Sequence, residues 1–391
     1  MLLRNCRLVP ELSGGESGLH DVEISDGLIS SITSPGIGKG LDSIDIGGKT
    51  LLPGLIDLHT HVLVLQRRYS PLDAYHPMRL LAKAADQTRE FFDHGFTTIR
   101  DCGSPARVAN VLRDMINDGI VEGPRIVSSG LIVEPTDGPA GDSLEAVCHL
   151  ADGPEEFRKA VRQELSEGAD FVKIYASGSA LSPTGVPLQP IMDRDEIAAC
   201  VRVADMKNAK VAAHAHADAA IRMCVEAGVY TIEHATYISE KTIDMISERN
   251  DNCYLVPTLA AMHVSNASPD PEEFWNKRLG AMLKACSETI SKAYDMGLPL
   301  GFGTDSGPGS EQYNGGLEFK FRKEYCGMKN VDILLQATQI NAKILGLSDK
   351  LGSVMPGFYA DLIVVDGNPD QDIACMYVPP TMVFKAGKRV R

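Results

Sequence analysis

The architecture is written most plainly in KVAAHAHADAAIRMCVEAGVYTIEHATYI, residues 210–238. This stretch opens on an apolar run that closes in two histidines, His214 and His216. A helical segment follows and stops at Gly228, where a helix C-terminus favours glycine. A second apolar run then ends in His234. Strand, helix, strand in this order implies a parallel βαβ unit. The same texture extends in both directions. LLPGLIDLHTH (51–61), FTTIRDCG (96–103), PRIVSSG (124–130), ADFVKIYA (169–176), CYLVPTLAA (253–261) and PLGFGTDS (299–306) read as further strands. Between most of them lie amphipathic helix candidates, such as PEEFRKAVRQELSEG (154–168) and DRDEIAACVRVADMKNA (193–209). Eight strands alternating with helices predict a closed (β/α)8 barrel of the triosephosphate-isomerase type. An open doubly wound sheet is the competing architecture, but no glycine-rich phosphate fingerprint follows the early strands.

The two ends differ from this middle. LLRNCRLV (2–9), HDVEISDGLISSI (20–32) and LDSIDIGGKTLL (41–52) read as short strands with Asp26-Gly27 and Gly47-Gly48 turns. GSVMPGFYADLIVVDGN (352–368) and PTMVFKAGKRV (380–390) repeat the pattern. The expectation is one small β-sandwich domain built from residues 1–52 and 352–391, flanking a barrel over 53–351. Two long loops, Gly130–Gly153 and Ser177–Met192, follow strands and so fall at the barrel's C-terminal face, where long loops are usually functional.

Composition narrows the class. Of 391 residues, 44% are hydrophobic and 23% charged, which suits a globular chain and excludes a disordered or fibrous one. The net charge is −14, and Lys/Arg pairs occur only as short runs such as Arg67-Arg68 and Lys388-Arg389, so nucleic acid is not the expected partner. There is no uncharged apolar run long enough for a membrane span, and no signal peptide is evident at the N-terminus. Nine scattered cysteines without a CxxC read as reduced thiols in a cytoplasmic protein.

The chemistry lies where polar residues interrupt apolar strands. His59 and His61 are two apart, so on a strand they face the same side, as metal ligands or as a chance pair on a surface strand. Lys173 sits among Val172, Ile174 and Tyr175. A buried ammonium is costly there, so it either reaches out to a partner or, as a neutral amine, takes up carbon dioxide as a bridging carbamate. His214 or His216, and His234, end the fifth and sixth strands. Asp305 ends the eighth, as a turn former, or as a ligand and base. Taken together, the strand ends supply histidine and carboxylate without thiolate, which suits zinc or another divalent first-row ion. The count supports two cations, one held by His59, His61 and Asp305 and one by His214 and His234, with Lys173 between them.

LLPGLIDLHTHV, GADFVKIYASG, HAHADAAIRMCVEAGVYTIEHATYI, VPTL, GFGTDSG and KLGSVMPGFYADLIVVDGNP resemble the amidohydrolase superfamily, in its prolidase-like branch of dipeptidases, carboxypeptidases and N-acyl amino-acid hydrolases. The resemblance implies a binuclear zinc hydrolase with carboxylated Lys173, and His214, not His216, as the fifth-strand ligand. It also implies a hydroxide bridging two divalent ions, Asp305 as the proton shuttle and a homo-oligomer. Mononuclear deaminases of the superfamily carry a glutamate where this chain has Ala217 and lack the bridging lysine. The loop after the third strand, often rich in histidine and glycine in that branch, here reads EPTDGPAGDS. The expected reaction is cleavage of amide bonds in small carboxylate-bearing substrates, dipeptides or N-acyl amino acids. The alternative is hydrolysis of a lactone, phosphotriester or cyclic amidine at the same centre, and a non-catalytic scaffold ranks last. Tyr237 and His263 are the candidate substrate contacts, with Arg67 and Arg68 as weaker ones; Cys148 and His149 are placed in a lid.

Overall fold

The structure, a computed structural model, describes residues 1–37, 42–63, 76–139, 148–180, 189–249, 251–263, 273–307 and 315–391. Both chain ends contribute to a single eight-stranded sheet. Strands Leu2–Leu8, Gly18–Ser25, Leu28–Thr33, Ser43–Asp45 and Thr50–Pro53 come from the N-terminal side, and Leu362–Val365, Met382–Lys385 and Lys388–Arg389 from the C-terminal side. The two halves join where Ile363 pairs antiparallel with Leu52. The sheet curls so that Leu28 bridges to Tyr359, enclosing a core that includes Leu3, Val22, Ile29, Leu51, Val364 and Phe384. Asp26 and Gly27 both take positive φ between their strands, the signature of a tight hairpin turn.

The sequence stretch 51–61 proves to be two elements. Thr50–Pro53 belongs to the terminal sheet, and Leu55–Thr60 is the first barrel strand. Gly54 is the joint: a Cβ there would lie 2.1 Å from Thr97 Oγ1, so only glycine fits. The remaining barrel strands are Phe96–Asp101, Arg125–Ser128 continued by Ile132–Glu134, Val172–Tyr175, Val211–Ala215, Thr231–His234 and Tyr254–Val256. The third strand bends between its two pieces, the first pairing with Phe96–Asp101 and the second with Val172–Tyr175. The eighth, extended segment 298–304 is held by only a few bonds. Gly301 N donates to the Leu255 carbonyl and Leu58 N to the Phe302 carbonyl, which closes the ring into a (β/α)8 barrel. Buried Asn341 bolts this seam, donating to the carbonyls of Ile56 and Phe302 and accepting from Phe302 N.

The helices lie outside. Arg194–Asp205 starts with a capping box between Asp193 and Glu196, and Asp218–Ala227 ends at Gly228 with φ 93°. Strand residues facing this layer, such as Ile99, Val133, Ile174 and Ile232, are fully buried with helix residues in one large core. Among the described residues no helix is long and apolar enough to cross a membrane. Of the long loops, residues 140–147 and 181–188 lie outside the described residues, as do Arg67 and Arg68. The described parts are pinned. Cys148–Leu150 adds a parallel strand beside Ile132–Glu134, and His149 Nδ1 bonds to Glu164 at 2.9 Å.

Candidate metal centre

The C-terminal ends of the first, fourth, fifth, sixth and eighth strands meet at one mouth. His59 Nε2 and His61 Nε2 lie 3.3 and 3.2 Å from the same oxygen, Asp305 Oδ1. Lys173 Nζ lies 3.4 Å from His59 Nε2 and is 1% exposed. The His234 ring is 4.9 Å from that of His59 and 4.6 Å from that of His214. Donor atoms of His59, His234 and Asp305 lie within 4.8 Å of one another, and those of His214, His216 and His234 form a second such group. All six residues singled out by sequence as ligands are therefore brought together, with His216 beside them.

Each ring is steered by a bond on its far side. His59 Nδ1 pairs with Glu233 at 2.8 Å, His61 Nδ1 with the Gly103 carbonyl at 2.6 Å and His234 Nδ1 with Thr258 Oγ1 at 2.7 Å. His59 and His61 thereby keep Nε2 toward Asp305, while His234 approaches that carboxylate through Nδ1, 4.0 Å from Oδ2. His214 is turned the other way: its Nε2 meets the Gly178 carbonyl at 3.2 Å, leaving Nδ1. Orienting bonds of this kind accompany metal-ligating histidines. His216 stacks on His234 at 4.8 Å and is tied through Nδ1 to Thr236 Oγ1.

The backbone is strained at the same place. His234, Ala235 and Asp305 adopt φ of 69°, 52° and 53°. Non-glycine residues rarely enter this region, and such departures gather at functional sites. Gly303 permits the close approach of the eighth strand, since a Cβ there would lie 2.8 Å from His59 Cβ.

Electrostatics fit a cation. Burial, reinforced by neighbouring positive groups, holds His214 and His234 well below the ordinary histidine range, and burial takes His216 down to about 3. Neutral imidazoles carry the lone pairs that a metal needs. Burial opposes the charge of Asp305, but His59, His61 and His234 overcome it and keep the carboxyl well below its usual value. His61, despite burial, is pushed upward by its bond to Asp305. A place that draws a proton between imidazole and carboxylate also draws a divalent ion.

Several members of the site are silent in the sequence. Glu233 and Arg100 lie behind His59 as a buried ion pair at 2.7 Å. The Cys102 thiol, bonded to the Leu58 carbonyl, stands close enough to His59 and Glu233 to form a third donor group. The Tyr175 ring packs edge-on against His214 at 4.4 Å, and burial, then Glu134 and Asp305, push its phenol up, which keeps it a proton donor. The two expected substrate contacts sit farther out. Tyr237 donates its backbone N–H to the His216 carbonyl, and His263 packs 5.1 Å from Phe321; no bond joins either side chain to the six ligand candidates among the described residues.

Known proteins resemble this chain along most of its length. The amidohydrolase family model matches residues 50–390. An ochratoxinase from Aspergillus niger is 30% identical over 374 residues, covering 86% of this chain and 75% of that protein. A crystal structure of a Xaa-Pro dipeptidase with methionine bound in its active site superposes with a TM-score of 0.86 at 31% identity, covering 99% of this chain and 98% of the other. A prolidase complexed with N-methylphosphonate-L-proline gives 0.87 at 29% identity, over 100% and 99% of the two chains.

Proposed function

This chain belongs to the amidohydrolase family, in its prolidase-like branch, and we propose that it is a binuclear metal-dependent hydrolase of amide bonds in small carboxylate-bearing substrates. The observation that carries this is the convergence of His59, His61, Lys173, His214, His234 and Asp305 at one barrel mouth. His59, His61 and Asp305 would hold one divalent ion and His214 and His234 the other, with Lys173, carboxylated, between them. Zinc is the first candidate, from the imidazole and carboxylate donors. Bound there, the ions would supply an acidified water and Lewis-acid polarisation of a carbonyl. Residues 53–351 would form the catalytic barrel, and 1–52 with 352–391 the accessory domain.

The chain's own side chains account for the proton traffic. Asp305, ionised and bonded to two imidazoles, takes a proton from the attacking water and passes it to the departing amide nitrogen. Tyr175, held protonated beside His214, can donate to an oxygen that gains charge in the transition state. A substrate carboxylate is best received near Tyr237. Arg278 of the helix Glu273–Asp295 acts on that phenol electrostatically and reaches the Ala180 carbonyl at 3.2 Å, bringing a cation to the same side of the mouth. His263 lines the seventh-strand side.

The test is metal analysis of purified protein together with a panel of dipeptides, N-acyl amino acids, lactones and phosphotriesters. Two equivalents of zinc and turnover of the amides are expected. Activity confined to lactones or phosphotriesters would transfer the reading to those bonds, and protein that takes up no metal would end it. Asp305→Asn should lower kcat by about 100-fold or more.

A further inference from the structure

Behind the cage runs an ionic chain to which the proposed reaction gives no part. Glu233 accepts from His59 Nδ1 through Oε2 at 2.8 Å, and from Arg100 Nη2 through Oε1 at 2.7 Å. The Thr231 hydroxyl donates to the same Oε1 at 2.5 Å. Arg100 Nε donates to the Leu58 carbonyl at 2.5 Å, and Nη1 to Thr231 Oγ1 at 3.0 Å. Arg100, Glu233 and His59 are each no more than 4% exposed.

The bonds form a closed circuit. It leaves the backbone of the first strand at Leu58, crosses to Arg100 on the second and Glu233 on the sixth, and returns to the first strand through the His59 ring. Turning that ring would break the circuit. A neutral imidazole carries one proton, and a carboxylate at Nδ1 requires it there, so the lone pair is left on Nε2. That atom faces Asp305 and Lys173. The sixth strand is bent to allow this. Strand neighbours ordinarily face opposite sides, yet both Glu233 and His234 reach His59, and it is the left-handed His234, φ 69°, that breaks the alternation. A buried ion pair is by itself weak evidence for stability, because apolar side chains often serve as well. Its place against a ligand ring is what calls for explanation.

We infer that Glu233, braced by Arg100, is a positioning residue that fixes the His59 ring with Nε2 facing the metal cage. The inference rests on the reading that His59 holds a cation. Zinc competition between the protein and a chromogenic chelator tests it. Glu233→Gln, whose amide oxygen still accepts from Nδ1, should weaken one of two zinc sites about 10-fold, and Glu233→Leu about 100-fold. Wild-type zinc affinity in both folded variants overturns the inference. Wild-type protein that binds no zinc overturns the underlying reading instead. Should the variants fail to fold, ¹⁵N spectra of histidine-labelled, zinc-loaded wild type decide, with the His59 signals assigned by their loss in His59→Asn. Zinc on Nε2 with the proton on Nδ1 is expected, and the reverse overturns the inference.

Discussion

Arg100–Glu233 lies inside the barrel, and Arg322–Glu318 lies against its outer wall. Both are buried guanidinium–carboxylate pairs at 2.7–2.8 Å. Glu233 has Arg100, His59 and the Thr231 hydroxyl around it. Glu318 takes one bond from Arg322 and one from Ala260 N, while Arg322 divides its other donors between Gln336 and the Pro257 carbonyl. The two carboxyls respond in opposite senses. Burial opposes the charge of Glu233, but Arg100 and His59 hold it down to about 2. Burial lifts Glu318 to about 7, a single guanidinium being too little to reverse it. The same pair of residue types thus bonds to the His59 ring in one place and pins the start of the Leu259–Met262 turn in the other.

The largest effect expected comes from removing either guanidinium. Above pH 7, where both carboxyls are ionised, Arg100→Ala and Arg322→Ala each strip the guanidinium from a buried carboxylate and should cost about 3–5 kcal/mol in urea unfolding. A silent variant would break the parallel between the two pairs. Next, Arg100→Ala should weaken zinc binding, whereas Arg322→Ala should leave the stoichiometry and affinity seen by chelator competition unchanged. Equal losses in both would show that general loosening, not ring orientation, governs metal affinity.

A third effect concerns acidity and is read from urea midpoints of metal-free protein. Glu233 is depressed, so the unfolded chain binds its proton first. Its contribution is complete above the ordinary value of 4.5 and is lost as pH falls through about 2. Glu318 is raised, so the native state keeps a proton that the unfolded chain has released, and stability falls as pH rises from 4.5 through about 7. Glu233→Gln should therefore flatten the acid limb, and Glu318→Gln should remove the decline toward neutral pH. Slopes of the same sign in both would sink the distinction. The smallest change is the exposed Lys343–Asp251 pair, for which Lys343→Ala should change the unfolding free energy by less than about 1 kcal/mol.

What the sequence reveals follows from periodicity. HxH at 59 and 61, and histidines or aspartate closing apolar runs, are legible because strand ends of a barrel must converge. Glu233 is not legible, since alternation beside His234 assigns it to the outer face until the φ of His234 is known. Glu318 and Arg322, four apart on the helix Gly315–Glu324, read as an ordinary solvated helix pair, yet both are fully buried under the Leu259–Met262 turn. The eighth strand is legible as the segment PLGFGTDS closed by Asp305, but its sparse bonding reflects Gly301 and Gly303, which trade regular pairing for close contact with Val256 and His59.

The pairing of Ile363 with Leu52 ties assembly to translation. A ribosome emitting this chain releases the first barrel strand, and the Thr50–Pro53 edge that leads into it, about three hundred residues before the segment that covers that edge. Until then the nascent polypeptide carries an open β edge, the kind of surface on which chaperones and aggregation compete.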